Sequence, residues 1–150
     1  MGGIFARIIL GHLYTNPELV DGVDAIIPMP AYLKSHQARK GNDHTGYVIE
    51  RAILEDDENL PFVLDPPLIE KTRATLGMRD TGSLMERQLA AEALYAALHV
   101  PDPARVQGQR VMVYDDVFTA GSSLNAVARR LKASGAAKVY GLTLARAQWR

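Results

Sequence analysis

The sequence predicts an α/β fold, a single domain whose parallel sheet carries helices on both faces, and three observations support that prediction. Short apolar runs at 24–30, 62–64, 111–114 and 138–145 alternate with longer segments at helical spacing, the order that builds parallel sheets. Val111-Met112-Val113-Tyr114 is apolar without alternation, as a strand covered on both faces must be. The polar loops at 31–42, 73–82 and 115–123 each follow a strand, so one crevice at the carboxyl edge of the sheet can collect them. At 150 residues, 47% hydrophobic, the chain is expected to form one domain, 1–150, with a proper core.

Taken in order, Ile4 to Leu13 sets Ile4, Phe5, Ile8, Ile9 and Leu13 at helical spacing, and Asn16-Pro17 ends the pattern. This is a packing helix or part of a homodimer contact. Asp24-Ala25-Ile26-Ile27-Pro28-Met29-Pro30 is a short apolar strand stopped by prolines, which have no N–H to give a ladder. The loop 31–42 concentrates cations, with Lys34, Arg39 and Lys40 and no acid. Asp43 or Thr45 can cap a helix to about Leu54 that turns Val48, Ile49, Ala52 and Ile53 to one side. Glu55-Asp56-Asp57-Glu58 reads as a solvated acidic loop.

Phe62-Val63-Leu64 opens a second strand region, interrupted by Asp65-Pro66-Pro67 and resumed over Leu68 to Thr72. Arg73 to Gly82 turns polar and flexible and holds Arg73 and Arg79. Ser83-Leu84-Met85-Glu86 has the spacing of a capping box, so a helix is expected from Leu84 to Leu98, with Leu94 and Leu98 inward and Arg87 in its first turn. Val100-Pro101-Asp102-Pro103 breaks the chain before Val111. Leu124, Val127, Ala128 and Leu131 recur at helical spacing, Ser134-Gly135 ends that helix, and Lys138 to Ala145 reads as a last strand.

Composition narrows the partners. Formal net charge is zero, so no broad basic face argues for direct nucleic-acid binding and no polybasic segment for a membrane. There is no cysteine, hence no disulfide, thiol nucleophile or cysteine-based zinc site. His12, His36, His44 and His99 show no metal-ligand spacing. The apolar run Ile4–Leu10 is short, carries Arg7, and lacks a cleavage pattern. The expected location is the cytoplasm.

The chemistry concentrates after Val113. The strand stops on Asp115-Asp116, and Val117-Phe118-Thr119-Ala120-Gly121-Ser122-Ser123 leads into the next helix. The N–H groups of a helix's first turn lack intrahelical partners and sit at the positive end of the dipole, so a phosphate can take them up. Gly121 lets the backbone come close, and Thr119, Ser122 and Ser123 add hydroxyls. The aspartates cannot share that phosphate: two unit charges about 7 Å apart at an effective dielectric near 20 repel by roughly 2 kcal/mol. They suit vicinal hydroxyls, or Mg²⁺ directly or through water. Strand neighbours point to opposite faces, so both acids can reach one ligand only if the chain leaves the strand at about Asp115. The ligand implied is a sugar phosphate.

Other sites with similar pieces fit less well. A receiver-type acid pocket puts its Asp-Asp pair near the N-terminus, a P-loop needs Gly-Lys-Ser/Thr, and a dinucleotide fold needs three spaced glycines. A purely structural turn is the remaining alternative.

Tyr114-Asp115-Asp116-Val117-Phe118-Thr119-Ala120-Gly121-Ser122-Ser123 resembles the phosphoribosyl-pyrophosphate (PRPP) signature of type I phosphoribosyltransferases, with Tyr114 standing where the residue is usually aliphatic. Ile26-Ile27-Pro28-Met29-Pro30 followed by Arg39-Lys40-Gly41-Asn42, and the pair Glu86-Arg87, resemble segments of the ComF family, phosphoribosyltransferase-like proteins associated with DNA uptake. The resemblance implies a Rossmann-like parallel sheet, a type I core with a minimal hood. It implies that Asp115 and Asp116 hold the ribose hydroxyls as the catalytic acids, and that Thr119, Ala120, Gly121, Ser122 and Ser123 hold the 5′-phosphate. The diphosphate would fall to Lys34, Arg39, Lys40, Arg73, Arg79 and Arg87. Mg²⁺ would arrive with PRPP rather than on dedicated ligands, at most meeting Asp115 and Asp116 through water. The activity implied is transfer of a 5-phosphoribosyl group to a nitrogen nucleophile with release of pyrophosphate. The alternative is a non-catalytic PRPP-sensing or interaction module of the ComF type, and any base pocket would need short loops and a partner subunit.

Overall fold

The computed structural model describes residues 1–33, 43–75, 82–118 and 121–146. In chain order these form α1 (Gly2–Thr15), β1 (Ala25–Pro28), α2 (His44–Glu55), β2 (Glu70–Lys71), α3 (Leu84–Ala97), β3 (Leu98–His99), β4 (Arg110–Phe118), α4 (Ser122–Ala133) and β5 (Lys138–Arg146), with single 3-10 turns at Pro17–Leu19 and Pro103–Arg105. The main sheet is parallel, in the order β1-β4-β5, with Ala25 opposite Val111, Pro28 opposite Tyr114 and Arg110 opposite Lys138.

The expected second strand is much shorter than its apolar run. Only Phe62 bridges to the sheet, beside Ile26, held by Ile26 N–H to the Pro61 carbonyl (2.7 Å) and Val63 N–H to the Ile26 carbonyl (2.9 Å). Pro61, Pro66 and Pro67 bracket the segment and have no N–H to extend a ladder. The resumed stretch yields β2, which pairs antiparallel with β3, apart from the parallel sheet. Leu98 is buried as expected, but as the first residue of β3.

Alternation along β1 and β4 sorts the core into two layers. Ala25, Ile27, Val111 and Val113 face Leu94, Ala126, Val127 and Leu131 from α3 and α4. Ile26, Met112 and Tyr114 face Ile9, Leu13, Val48, Ile49 and Ala52 from α1 and α2. The sheet therefore carries two helices on each face. Helix α1 buries Ala6, Ile9, Leu10 and Leu13, a stripe at i, i+3, i+4 and i+7, and leaves Ile4 and Ile8 at 57% and 51% exposure. Ile53 of α2 is exposed as well.

The helix starts follow the capping residues. The Asp43 carboxylate accepts the Gly46 N–H (2.8 Å), and the Thr45 hydroxyl donates to the Met29 carbonyl (2.8 Å), tying α2 to the end of β1. A Cβ at position 46 would collide with that carboxylate, so a larger residue there would have to displace the cap. Ser83 accepts from Glu86 N–H (3.1 Å), and the Glu86 carboxylate accepts from Ser83 and Gly82 N–H. Helix α4 ends where Gly135 takes φ +104° and the Ala136 N–H returns to the Leu131 carbonyl.

Helices α3 and α4 pack side by side on one face of the sheet. Arg129 pairs with Glu92 (3.0 Å), and Arg130 stacks on the Tyr95 ring (3.9 Å to its centroid), one turn further along α3. Among the described residues no helix is long and apolar enough to cross a membrane.

Candidate anion site at the carboxyl edge

Strand β4 does not end on its acids. It continues to Phe118 because β5 goes on pairing with it, Asp115 opposite Thr143 and Val117 opposite Ala145, while β1 stops at Pro28 opposite Tyr114. The chain therefore stays extended past Asp115, contrary to the exit expected there, and successive side chains divide between the faces. Asp116 lies on the α1–α2 side with Tyr114, and Asp115 on the α3–α4 side with Val111 and Val113.

Tyr114 is fully buried, yet its hydroxyl reaches along the strand and donates to Asp116 Oδ1 at 2.5 Å. Burial first, then this hydrogen bond and the nearby charges of Asp116 and Asp115, raise the phenol's pKa above its ordinary value. The residue expected to matter for packing is thus also the partner of an acid. The Asp116 backbone N–H in turn donates to Asp115 Oδ1 (2.9 Å), which holds the Asp115 carboxylate against the strand.

Beyond β4, Gly121 opens α4 in the left-handed region (φ +76°, ψ 2°), where an L side chain would be strained. Among the described residues no side chain caps this helix. Its backbone carbonyl accepts Asn125 N–H, and Ser122 and Ser123 form the first, half-buried turn. Because α4 packs on the α3–α4 face, its orphan N–H groups lie on the same side of the sheet as Asp115, and Arg87 lies in the first turn of α3 on that face. Arg87 is half-buried and Arg73 exposed. Thr72 bonds to the Ala97 carbonyl through both its N–H and its hydroxyl, so Arg73 leaves from the far end of α3, about 15 Å along the helix from Arg87. Lys34, Arg39, Lys40, Arg79, Thr119 and Ala120 lie outside the described residues.

A cleft of about 390 Å³ opens along β1 on the α3–α4 face, floored by Ile27, Met29, Val63 and Leu68. Asp43, Asp65, Glu70 and Lys71 supply its ionisable groups, and burial lowers the Lys71 pKa. Met29 hydrogen-bonds through its N–H to the Tyr114 carbonyl (2.7 Å), so the cleft adjoins the end of β4, although Asp115, Asp116 and Gly121 do not line it. Sequence reasoning passed over Lys71 and Glu70 because their segment reads as a strand.

Asp115 and Asp116 carry hard oxygen donors suited to Mg²⁺, but their division between two faces does not suit joint direct ligation. Among the described residues no group of three or more His, Asp or Glu side chains could hold a metal ion. No protein-family model and no curated protein matches the sequence.

Proposed function

We propose that this chain binds PRPP at the carboxyl edge of its sheet and, as a type I phosphoribosyltransferase-like protein, transfers the 5-phosphoribosyl group to a nitrogen nucleophile. The observation that carries the reading is the juxtaposition, within seven residues of chain, of an acid pair and the first turn of α4, opened by left-handed Gly121 and capped by no described side chain. Amide and hydroxyl donors suit the 5′-phosphate, and the carboxylates suit hydroxyls rather than the phosphate they would repel.

In the reaction the bond from the anomeric carbon to the diphosphate breaks, its electron pair leaving with pyrophosphate. A nitrogen lone pair forms the new bond, and the nitrogen's proton passes to solvent. Asp115 orients the ring and stabilises the positive charge that develops there, and Arg87, in the first turn of α3, is the described cation assigned to the anionic end in this reading. Mg²⁺, when bound with PRPP, screens the leaving group.

Incubation of the chain with PRPP, Mg²⁺ and a panel of purines, pyrimidines and small amines should release pyrophosphate with at least one acceptor. Saturable PRPP binding with no release from any of them would favour the non-catalytic module. Asp115→Asn should weaken PRPP binding by about tenfold, the loss of one charge-assisted hydrogen bond, while the unfolding transition stays cooperative.

A further inference from the structure

The two aspartates do not hold equivalent positions. Asp115 shares a face with the first turn of α4, whereas Asp116 is turned to the α1–α2 side and is met there by Tyr114. That tyrosine is fixed at both ends. Its ring is enclosed among the residues that α1 and α2 press onto the sheet, and its hydroxyl is committed to Asp116 Oδ1. A phenol held in this way cannot follow a carboxylate that moves, so the carboxylate is held to the phenol. Asp116 is otherwise a side chain with two rotatable bonds on a stretch of β4 that has lost β1 as a neighbour.

We propose that Tyr114 is a positioning residue: its buried hydroxyl fixes Asp116 in the rotamer that receives a ligand hydroxyl, and it acts on binding only through Asp116. One carboxylate oxygen is occupied by the phenol, so Asp116 offers a ligand the other and serves as a single acceptor. Asp115, with its Oδ1 accepting the Asp116 N–H, belongs to the phosphate side. Because β1 stops opposite Tyr114, the edge of β4 beside the acids has no strand neighbour among the described residues, and a ring lying along that edge meets one carboxylate from each face although the backbone stays extended. This inference rests on the sugar-phosphate reading above.

A double-mutant cycle on the full chain tests it, with PRPP plus Mg²⁺ as one probe and inorganic phosphate as the other. Tyr114→Phe keeps the ring and should remain folded. It should weaken PRPP about tenfold, the scale of one hydrogen bond to a charged group, and leave the phosphate affinity unchanged, because the α4 turn is not touched. Asp116→Asn should weaken PRPP by at least as much, and adding Tyr114→Phe to it should cost nothing further. A general loosening of the core would instead lower both affinities and add to the effect of Asp116→Asn, which would overturn the proposal. Wild-type PRPP affinity in Tyr114→Phe would also overturn it while sparing the PRPP reading. A wild-type chain that takes up no PRPP would remove both.

Discussion

At the scale of single residues, burial and chemistry meet in Tyr114. Its apolar neighbours in sequence made its burial legible, and both faces of that run are indeed covered. The reach of its hydroxyl to the residue two places on was not legible, because periodicity gives a side chain's face and not its lean along the strand. The raised pKa has a consequence for stability. A group whose folded-state pKa lies above its unfolded value contributes fully below the unfolded value, here 10.0, and loses that contribution as pH climbs toward the folded one. Urea unfolding followed against pH should therefore show stability that declines above about pH 10, and the decline should be shallower in Tyr114→Phe. Equal slopes in the two proteins would show that the phenol is not the group responsible.

At the scale of elements, the signals that named a physical partner located their helices well. The Ser-x-x-Glu spacing placed the start of α3 at Leu84, and Asp43 caps α2. Ser83→Ala should cost about 1 kcal/mol in chemical denaturation, since one orphan N–H loses its acceptor and the reciprocal Glu86 contact loses its geometry. A change within 0.2 kcal/mol or so would mean that the box contributes little to the folded state. Signals that rested on hydrophobicity alone were weaker. The α1 segment is apolar nearly all round, so spacing could not choose between the stripe through Ile4 and Ile8 and the one through Ala6 and Ile9 that the sheet covers. Glu55-Asp56-Asp57-Glu58, read as a bare solvated loop, is in part structural. Glu55 takes Arg7 (3.0 Å) and Arg51 (2.7 Å), which hold its pKa below the ordinary carboxylate value, and Asp56 accepts the Tyr14 hydroxyl (2.6 Å) and two backbone N–H groups. Those contacts join α1 to α2 and the loop after it, and partners more than forty residues apart leave no mark in a local window.

At the scale of the whole molecule, the parallel character of the main sheet and the helices on both faces were readable, because a run without alternation has to be covered twice. What escaped was set by pairing: β5 keeps β4 extended past the acids, which no property of the 115–123 segment announces, and β2 pairs away from the sheet. The account nevertheless depends on one arrangement, acids and the first-turn amides of α4 at a single edge. Isothermal titration of the full chain with PRPP, with and without Mg²⁺, addresses it most directly. The expected result is saturable one-to-one binding that tightens when Mg²⁺ is added and weakens about tenfold in Asp115→Asn. Absence of heat up to about 1 mM PRPP, with no rise in melting temperature, would contradict it.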